Sequence, residues 1–318
     1  MKQIALGTTG EMVSALCLGC MYLGTKVDET MSFRILDAYV EAGGSFLDTA
    51  NCYAFWIPGA TGDESEILLG RWMRERDNRN RIFLATKIGA RPSGGTAGAP
   101  PEGLSARVIE RAVHESLRRL GSDTIDLLYT HVPDRSTTLE ETIEALDRLV
   151  RAGKVRFIGC SNEPAWRVEW ASALSLSHGW APFCCVQNRH TYLRPKQGAV
   201  LPQVCVSEEL LDYAAATASV TLLAYSPLLG GAYARAEHAL PREYATSDSR
   251  VRWKALSSAA RARGVSRSSL VLAWLMSGVP PFIPLVAAST VLQLRENLGA
   301  GRIALDVECL RDLTEAAG

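Results

Sequence analysis

The sequence predicts an α/β protein, a (β/α)8 TIM barrel with an N-terminal β-hairpin and an extra C-terminal helix. Eight short apolar runs alternate with longer segments of helical periodicity. Most of the runs are continuously apolar, which is typical of strands covered on both faces in a parallel sheet. Strand followed by helix, repeated eight times, is the pattern of this barrel. We therefore expect residues 1–318 to form a single barrel domain.

The eight predicted strands are short and separated by room for a helix. In chain order they are SALCLG, SFLDTA, RIFLATK, IDLLYTH, VRFIGCS, FCCVQN, TLLAYSP and FIPLVAAS. An open doubly wound sheet is the main alternative. It normally needs fewer units, and its phosphate fingerprint G-x-G-x-x-G is absent after the first strand, where LGCMYLG stands. The repeat count favours the barrel.

Helices are predicted between the strands. The first follows Asp28 as its cap and ends at EAGG. The later ones are ESEILLGRWMRER, SARVIERAVHESLRRLG, LEETIEALDRLVRAGK, PAWRVEWASALSL, SEELLDYAAATA, SRSSLVLAWLMSG and TVLQLRENLGAG. Two segments exceed the minimal barrel. We expect a mobile flap over residues 230–250, which are polar and turn-rich, and a terminal helix in DVECLRDLTEAAG that covers the barrel.

Charge and composition exclude several partners. Thirty-four basic residues balance thirty-four acidic ones, so no global field would hold nucleic acid or an anionic membrane. No apolar run reaches the roughly 18 residues of a membrane helix, and the start MKQIALGTTGEMVS lacks the apolar core of a signal peptide. Several of the eight cysteines lie in apolar runs, which favours a reducing cytoplasm. No thiolate and histidine set closes a zinc site, so we expect no metal.

Side chains at the carboxyl ends of barrel strands face one shared site. Asp48 and, just beyond it, Tyr53 follow the second strand, Lys87 follows the third and His131 the fourth. Singly, they are explained by a helix cap, a core aromatic and a structural histidine. Lys87 indicates a functional site more strongly than the others. A lysine at the end of an apolar strand needs either a carboxylate partner or a functional role. Together the four residues predict an acid site.

These four residue types form a coherent proton-transfer group. A phenol with a pKa near 10 is a weak acid at neutral pH. We expect Lys87 to lower the pKa of Tyr53, and Asp48 to keep Lys87 charged and aimed. His131 is expected to orient a substrate oxygen. The group supplies a proton but no reductant, and Cys52 has no adjacent histidine in sequence, so we expect hydride from a cofactor.

With these residues in place, the chain resembles the aldo-keto reductases, NAD(P)H-dependent barrel oxidoreductases, over nearly its whole length. LDTANCY is similar to the family's D-T-A-x-x-Y segment, LATK to its lysine strand, YTHVPD to its histidine strand and VRFIGCSN to its G-x-S-N segment. VQN, AYSPLLGG and LRENLGA match later cofactor segments. The resemblance implies that Tyr53 is the proton donor and that Lys87 and Asp48 tune it. It also implies that His131 orients the carbonyl.

The resemblance implies a cofactor-binding set as well. Ser161, Asn162 and Gln187 match positions that hydrogen-bond the nicotinamide carboxamide. Tyr225 matches the ring that stacks on the nicotinamide. The complete set comprises Cys20, Ser161, Asn162, Gln187, Tyr225, Ser226, Leu228, Gly230, Ser289, Thr290, Gln293 and Asn297.

The phosphate-binding positions follow the family only in part. Leu228 and Gly230 fall where backbone amides approach the pyrophosphate. Some branches carry a lysine or arginine beside the adenosine 2′-phosphate, where PLVAASTVLQLREN offers alanines and a glutamine. Ser289 and Thr290 either hold that phosphate with the following helix amides or act only as a helix cap. We expect NADPH as the cofactor, with NADH as the alternative.

The loop after Tyr53 departs from the family by inserting AFWIPGATGDE before SEILLG. In this loop, Phe55 and Trp56 either form an apolar wall for a substrate or pack only on each other. His190, in the segment RHTY at the expected rim, and Met21, after the first strand, are further substrate candidates.

The predicted activity is reduction of an aldehyde or ketone, including sugars and other hydroxylated carbonyls, by hydride from NADPH with Tyr53 as general acid. The alternative is a nucleotide-binding regulatory module of the potassium-channel β-subunit type with little turnover, against which the intact group of four argues. A metal-dependent hydrolase is disfavoured, because only Asp48 and His131 are suitable strand-end ligands. We expect a small-molecule carbonyl substrate and no nucleic-acid or membrane partner. No pattern in the sequence identifies the substrate or the oligomeric state.

Overall fold

Eight parallel strands close into a barrel in the computed structural model, which describes residues 1–95, 98–201, 203–237 and 240–317. The barrel strands are β3 (Cys17–Gly19), β4 (Phe46–Asp48), β5 (Phe83–Ile88), β6 (Ile125–Thr130), β7 (Val155–Ser161), β8 (Phe183–Arg189), β9 (Thr221–Tyr225) and β10 (Phe282–Val286). They follow chain order around the barrel, and β10 pairs with β3 to close it. Each predicted apolar run coincides with one of these strands, and β5 and β8 extend one residue beyond their runs, which confirms the (β/α)8 prediction.

The predicted N-terminal hairpin is also present. Strands β1 (Gln3–Ala5) and β2 (Met12–Ser14) pair antiparallel outside the barrel. Just after β1, Leu6 packs in one buried cluster with Phe46 and Phe83, which begin β4 and β5. The hairpin therefore caps the amino-terminal end of the barrel, and the polar strand ends lie at the opposite end.

Helices surround the barrel. They are α1 (Glu29–Glu41), α2 (Glu64–Arg76), α3 (Ala106–Leu120), α4 (Leu139–Arg151), α5 (Ala165–His178), α6 (Glu208–Thr217), α7 (Ser247–Ala262), α8 (Arg267–Ser277), α9 (Val291–Gly299) and α10 (Val307–Thr314). Asp28 caps α1 as expected, because its side chain accepts a hydrogen bond from the Met31 amide over 2.8 Å. The expected terminal helix is α10, which packs on the outer helices α7 and α8 through Thr314.

Strand parity decides which side chains enter the barrel. Phe83 and Ala85 belong to the buried cluster inside the barrel, whereas Leu84 belongs to the layer between barrel and helices. Because side chains alternate along a strand, Lys87 follows Phe83 and Ala85 to the inside. The same apolar packing that forms the barrel therefore directs this cation to the barrel's carboxyl end.

The segment expected to be a mobile flap, residues 230–250, is in large part packed into the fold. Short 3₁₀ turns occupy Leu229–Ala234 and Arg242–Tyr244, and α7 begins within the segment at Ser247. Tyr233 and Tyr244 are buried. The prediction was wrong for these parts, because two buried aromatic anchors outweigh the polar composition. Residues 238 and 239 lie outside the described residues.

Within the part of the chain that the structure describes, none of the helices has the length and hydrophobicity of a membrane span. No three histidine, cysteine, aspartate or glutamate side chains gather there as metal ligands.

The contact between α2 and α3 depends on Gly70, and we expect Gly70→Ala to lower the free energy of unfolding by about 1 to 2 kcal/mol. A Cβ at this position would lie 2.5 Å from the Arg119 carbonyl oxygen and 2.8 Å from the Leu120 backbone. The helix-propensity gain of up to about 1 kcal/mol does not offset a clash with backbone. Urea unfolding checks this. Gly299→Ala, where nothing lies within 4 Å, is the control and should not destabilise.

Candidate active site

An ion pair lies at the carboxyl end of the barrel. Asp48 ends β4 and Lys87 lies on the neighbouring β5, and both side chains are fully buried. Lys87 Nζ forms a salt bridge with Asp48 Oδ1 and donates to the Thr49 carbonyl oxygen over 2.8 Å. Burial of a charged pair is tolerated when its remaining hydrogen-bonding positions are filled, as they are here. The ammonium group is therefore fixed and charged.

Tyr53 joins this pair from the loop after β4. Lys87 Nζ donates to the Tyr53 hydroxyl oxygen over 2.6 Å, and that oxygen lies 3.4 Å from Asp48 Oδ1. The nitrogen also lies 4.6 Å from the centre of the Tyr53 ring. Unlike the two charged residues, Tyr53 is only half-buried. The sequence-predicted triad of Asp48, Lys87 and Tyr53 is thus brought together by the fold.

The acidity of Tyr53 differs from expectation. Burial raises the pKa of Tyr53 well above its usual value of 10.0, and the negative charge of Asp48 raises it further. We expected Lys87 to lower this pKa, but the partial burial of the ring and the neighbouring Asp48 carboxylate raise it instead. The phenol consequently retains its proton at neutral pH.

His131 follows β6 and faces the same tyrosine. The His131 and Tyr53 rings meet edge to face, with centroids 5.7 Å apart. The His131 amide donates to the Ile88 carbonyl oxygen over 2.9 Å, which fixes its backbone to the end of β5. Burial, and secondarily the charge of Lys87, lowers the pKa of His131 to about 3. The ring is therefore neutral at physiological pH and carries one N–H donor.

Gln187 makes a contact with the ion pair that its sequence position did not indicate. Its Nε2 donates to Asp48 Oδ2 over 2.9 Å, and both groups are buried. Ser161 Oγ donates to the Gln187 main-chain oxygen over 2.7 Å. Among the described residues no donor reaches Gln187 Oε1, which leaves this oxygen available as an acceptor. The predicted cofactor residues Ser161 and Gln187 thus lie directly beside the acid site.

Asn162 and Tyr225 form a second hydrogen-bonded unit at the strand ends. Asn162 has a left-handed backbone, with φ of 61°, a conformation that asparagine tolerates better than most residues. Its Nδ2 donates to the His131 carbonyl oxygen over 2.9 Å. Its Oδ1 accepts from the Tyr225 hydroxyl over 2.6 Å and from the Val204 amide over 3.2 Å. Asn162 therefore joins β6, β7 and β9 beside His131.

The loop after β9 presents free backbone amides. Three consecutive residues, 229 to 231, have positive φ angles of 48°, 62° and 81°. Among the described residues, the amides of Leu228 and Gly230 donate to no protein acceptor, and no atom lies within 4 Å of a Cβ built on Gly230. Ser226 also has a left-handed backbone. Such loops bind anions through their amides.

The other predicted cofactor residues have clear structural contacts. Cys20 is fully buried, and its thiol lies 3.4 Å from the Leu18 carbonyl oxygen. The start of α9 is closed by its own side chains: Thr290 accepts from the Gln293 amide over 3.2 Å, and Gln293 Oε1 accepts from the Ser289 amide over 2.8 Å. Asn297 Nδ2 donates to the Ala287 carbonyl oxygen over 3.1 Å.

Of the predicted substrate residues, Phe55 and Trp56 stack edge to face with centroids 5.1 Å apart, and Trp56 is 48% exposed. Met21 is half-buried after β3. His190 lies elsewhere. Its ring stacks on Phe282, 4.6 Å between centroids, in the layer between barrel and helices. The structure therefore separates His190 from the acid site. The prediction that His190 lies at the substrate rim was wrong.

His190 gives a pH-dependent prediction. Burial, and secondarily the charge of Arg252, lowers the pKa of His190 to about 4. The unfolded ring titrates near pH 6.5, so the neutral ring's contribution to stability is present above that pH and lost as pH falls towards 4. Each pH unit in this window costs up to about 1.4 kcal/mol.

We expect His190→Phe, which keeps the stacking, to lose less unfolding free energy than wild type between about pH 7 and pH 5. Urea unfolding at both pH values measures the difference. His114→Gln removes an exposed ring and serves as the control. An unchanged pH slope in His190→Phe would contradict the assignment.

The fold and the acid site together define a class: a barrel oxidoreductase with a lysine, tyrosine, aspartate and histidine at its carboxyl end. The aldo/keto reductase family model matches residues 15–317, and the chain belongs to this family of NAD(P)H-dependent oxidoreductases. Norsolorinic acid reductase stcV of Emericella nidulans is 33% identical, covering 96% of this chain and 79% of its own. Aryl-alcohol dehydrogenase GME11368 of Pestalotiopsis microspora is 28% identical, covering 95% and 78%.

A solved structure agrees with these matches. A thermostable aldo-keto reductase, Tm1743, crystallised with the inhibitor epalrestat, superposes with a TM-score of 0.77 at 26% identity, covering 99% of this chain and all of its own. The resemblance found in the sequence motifs is therefore confirmed.

Proposed function

We propose that the protein reduces an aldehyde or ketone to the alcohol with NADPH, and that Tyr53 is the general acid. The observation that carries this proposal is the 2.6 Å contact between Lys87 Nζ and the Tyr53 hydroxyl oxygen, beside the buried Asp48 carboxylate. A half-buried phenol that contacts a fixed cation is suited to give up a proton to a substrate oxygen and to carry the resulting negative charge.

The residues present fit a nicotinamide dinucleotide. Gln187 Oε1 is available to accept a hydrogen bond from a carboxamide, and the free amides of Leu228 and Gly230 suit a pyrophosphate. When bound, the cofactor supplies hydride to the carbonyl carbon. At the start of α9, Ser289 and Thr290 supply the polar groups for an adenosine 2′-phosphate, because Ala287 and Ala288 add no basic side chain there.

The chain's own residues handle the proton. Tyr53 Oη gives its proton to the carbonyl oxygen as the C–O bond becomes single, and the phenolate left behind is stabilised by Lys87. Asp48 keeps Lys87 charged and in place. The neutral His131 donates a hydrogen bond to the same substrate oxygen and orients it.

We further propose aromatic carbonyl compounds as the first substrates to test. Phe55 and Trp56 lie in the loop that directly follows Tyr53 and expose an apolar surface. One relative carries the name aryl-alcohol dehydrogenase. Apolar walls with a few polar groups are typical of sites for such ligands.

All eight cysteines are free thiols, which suits a reducing compartment such as the cytoplasm.

The proposal is tested by following NADPH and NADH oxidation with a panel of aromatic aldehydes, short ketones and sugar ketones. Turnover of at least one carbonyl, with the alcohol identified as product, supports it. Nucleotide binding detected by fluorescence quenching, without turnover of any panel member, would instead favour a regulatory nucleotide-binding module.

A further inference from the structure

Cys52 lies beside the ring of His131 at the carboxyl end of the barrel. Its Sγ lies 3.8 Å from His131 Nδ1, within the range of a hydrogen bond to sulfur. The thiol is 3% exposed. Among the described residues, Cys52 is the one whose side chain contacts His131 Nδ1, and His131 Nε2 has no protein partner.

The position of Cys52 is fixed by the chain around it. The preceding Asn51 amide donates to the Lys87 carbonyl oxygen over 3.0 Å, and the Asn51 carbonyl oxygen accepts from Arg91. On the other side, a Cβ at Gly62 would lie 3.1 Å from Cys52 Cα, so the inserted loop packs directly on the cysteine backbone. The backbone of His131 is fixed as well, by its bonds to Ile88 and Asn162. The sulfur–nitrogen contact is therefore built into the fold.

We propose that Cys52 is a positioning residue that sets the tautomer of His131: the thiol donates to Nδ1 and keeps the ring proton on Nε2, where it can meet the substrate oxygen. This proposal rests on the proposed carbonyl reduction for its role in catalysis, but the tautomer itself does not depend on turnover.

Protonation states agree with this direction of the hydrogen bond. Burial raises the pKa of the Cys52 thiol to about 12, so the sulfur carries its proton. His131 is neutral and has one nitrogen that accepts. Sulfur is a weak acceptor and imidazole nitrogen a good one, so S–H to Nδ1 is the better pairing than the reverse. The tautomer with the proton on Nδ1 would place a lone pair towards a carbonyl oxygen, which is repulsive.

The decisive measurement is the tautomer of His131 by long-range ¹H–¹⁵N NMR on protein labelled in its five histidine rings. A His131→Gln variant assigns the signals. In wild type, Nδ1 should have the shift of an unprotonated nitrogen and Nε2 that of a protonated one. In Cys52→Val, which removes the donor with a side chain only about one methyl group larger, the Nδ1–H form should rise clearly. Cys309→Val, a buried thiol on α10, is the matched control and should leave the signals unchanged.

Kinetics give the second readout. With an accepted carbonyl, we expect Cys52→Val to lower kcat by roughly threefold to tenfold with little change in KM, because a weak neutral hydrogen bond contributes modestly. Wild-type His131 protonated on Nδ1, or a tautomer balance unaltered by Cys52→Val, overturns the proposal. The NMR result stands even if no panel carbonyl is reduced, so failure of the proposed function and failure of this inference are distinguishable.

Discussion

Tyr53→Phe is expected to lower kcat for carbonyl reduction by about 10² to 10⁴, the usual contribution of a positioned general acid. The variant removes one oxygen, the atom 2.6 Å from Lys87 Nζ. No other described hydroxyl contacts this ammonium, so no nearby group can replace the donor. Steady-state NADPH oxidation with the best carbonyl of the panel measures the effect.

Cofactor binding should survive the same substitution. The residues proposed to hold the nucleotide, Gln187, Leu228 and Gly230, make no hydrogen bond to the tyrosine hydroxyl. Fluorescence titration with NADPH should therefore give a Kd within about twofold of wild type. Tyr213→Phe, on α6, is the control for hydroxyl loss. Activity in Tyr53→Phe within threefold of wild type would falsify the assignment of Tyr53 as general acid.

The sequence was sufficient for the parts of the site that strand geometry decides. Asp48, Lys87 and His131 come from three consecutive barrel strands, and parity along each strand determines that their side chains meet. The acid group therefore follows from period-two alternation and the common direction of the strands. The same reasoning placed Ser161 and Gln187 correctly beside it.

The alternation of side chains along strands does not predict the direction in which a loop leaves the barrel. After β8 the chain turns outward, where the His190 amide donates to the Tyr225 carbonyl oxygen and Thr191 Oγ1 to the Pro227 carbonyl oxygen. His190 is thereby carried behind the sheet rather than over the mouth. The raised pKa of Tyr53 was missed for a related reason, since a sequence shows which charges are near but not how completely a ring is desolvated.

The contact between Cys52 and His131 could not be predicted either. The two residues are 79 positions apart, and neither strand register nor motif spacing brings a loop thiol to a particular ring nitrogen. A cysteine just before the tyrosine of LDTANCY was visible, but its partner was not. This contact depends on the packing of the inserted segment on Cys52, which leaves no pattern in the sequence.

Removing Lys87 should have the largest effect on stability of any change at the site. Lys87→Met keeps the length of the side chain but leaves the fully buried Asp48 carboxylate without its cation. Breaking a buried pair in this way typically costs about 3 to 5 kcal/mol, because the remaining charge is neither solvated nor paired. We expect that loss in the free energy of unfolding, measured by urea denaturation, together with loss of carbonyl reduction.

The double variant Lys87→Met with Asp48→Asn separates the two consequences. Neutralising the carboxylate removes the uncompensated charge, and the asparagine can still accept from Gln187 Nε2, so we expect most of the lost stability to return. Activity should stay absent, because no cation stabilises the Tyr53 phenolate. If the double variant is as unstable as Lys87→Met alone, the charge imbalance is not the cause; if it regains turnover, Lys87 does not act on Tyr53.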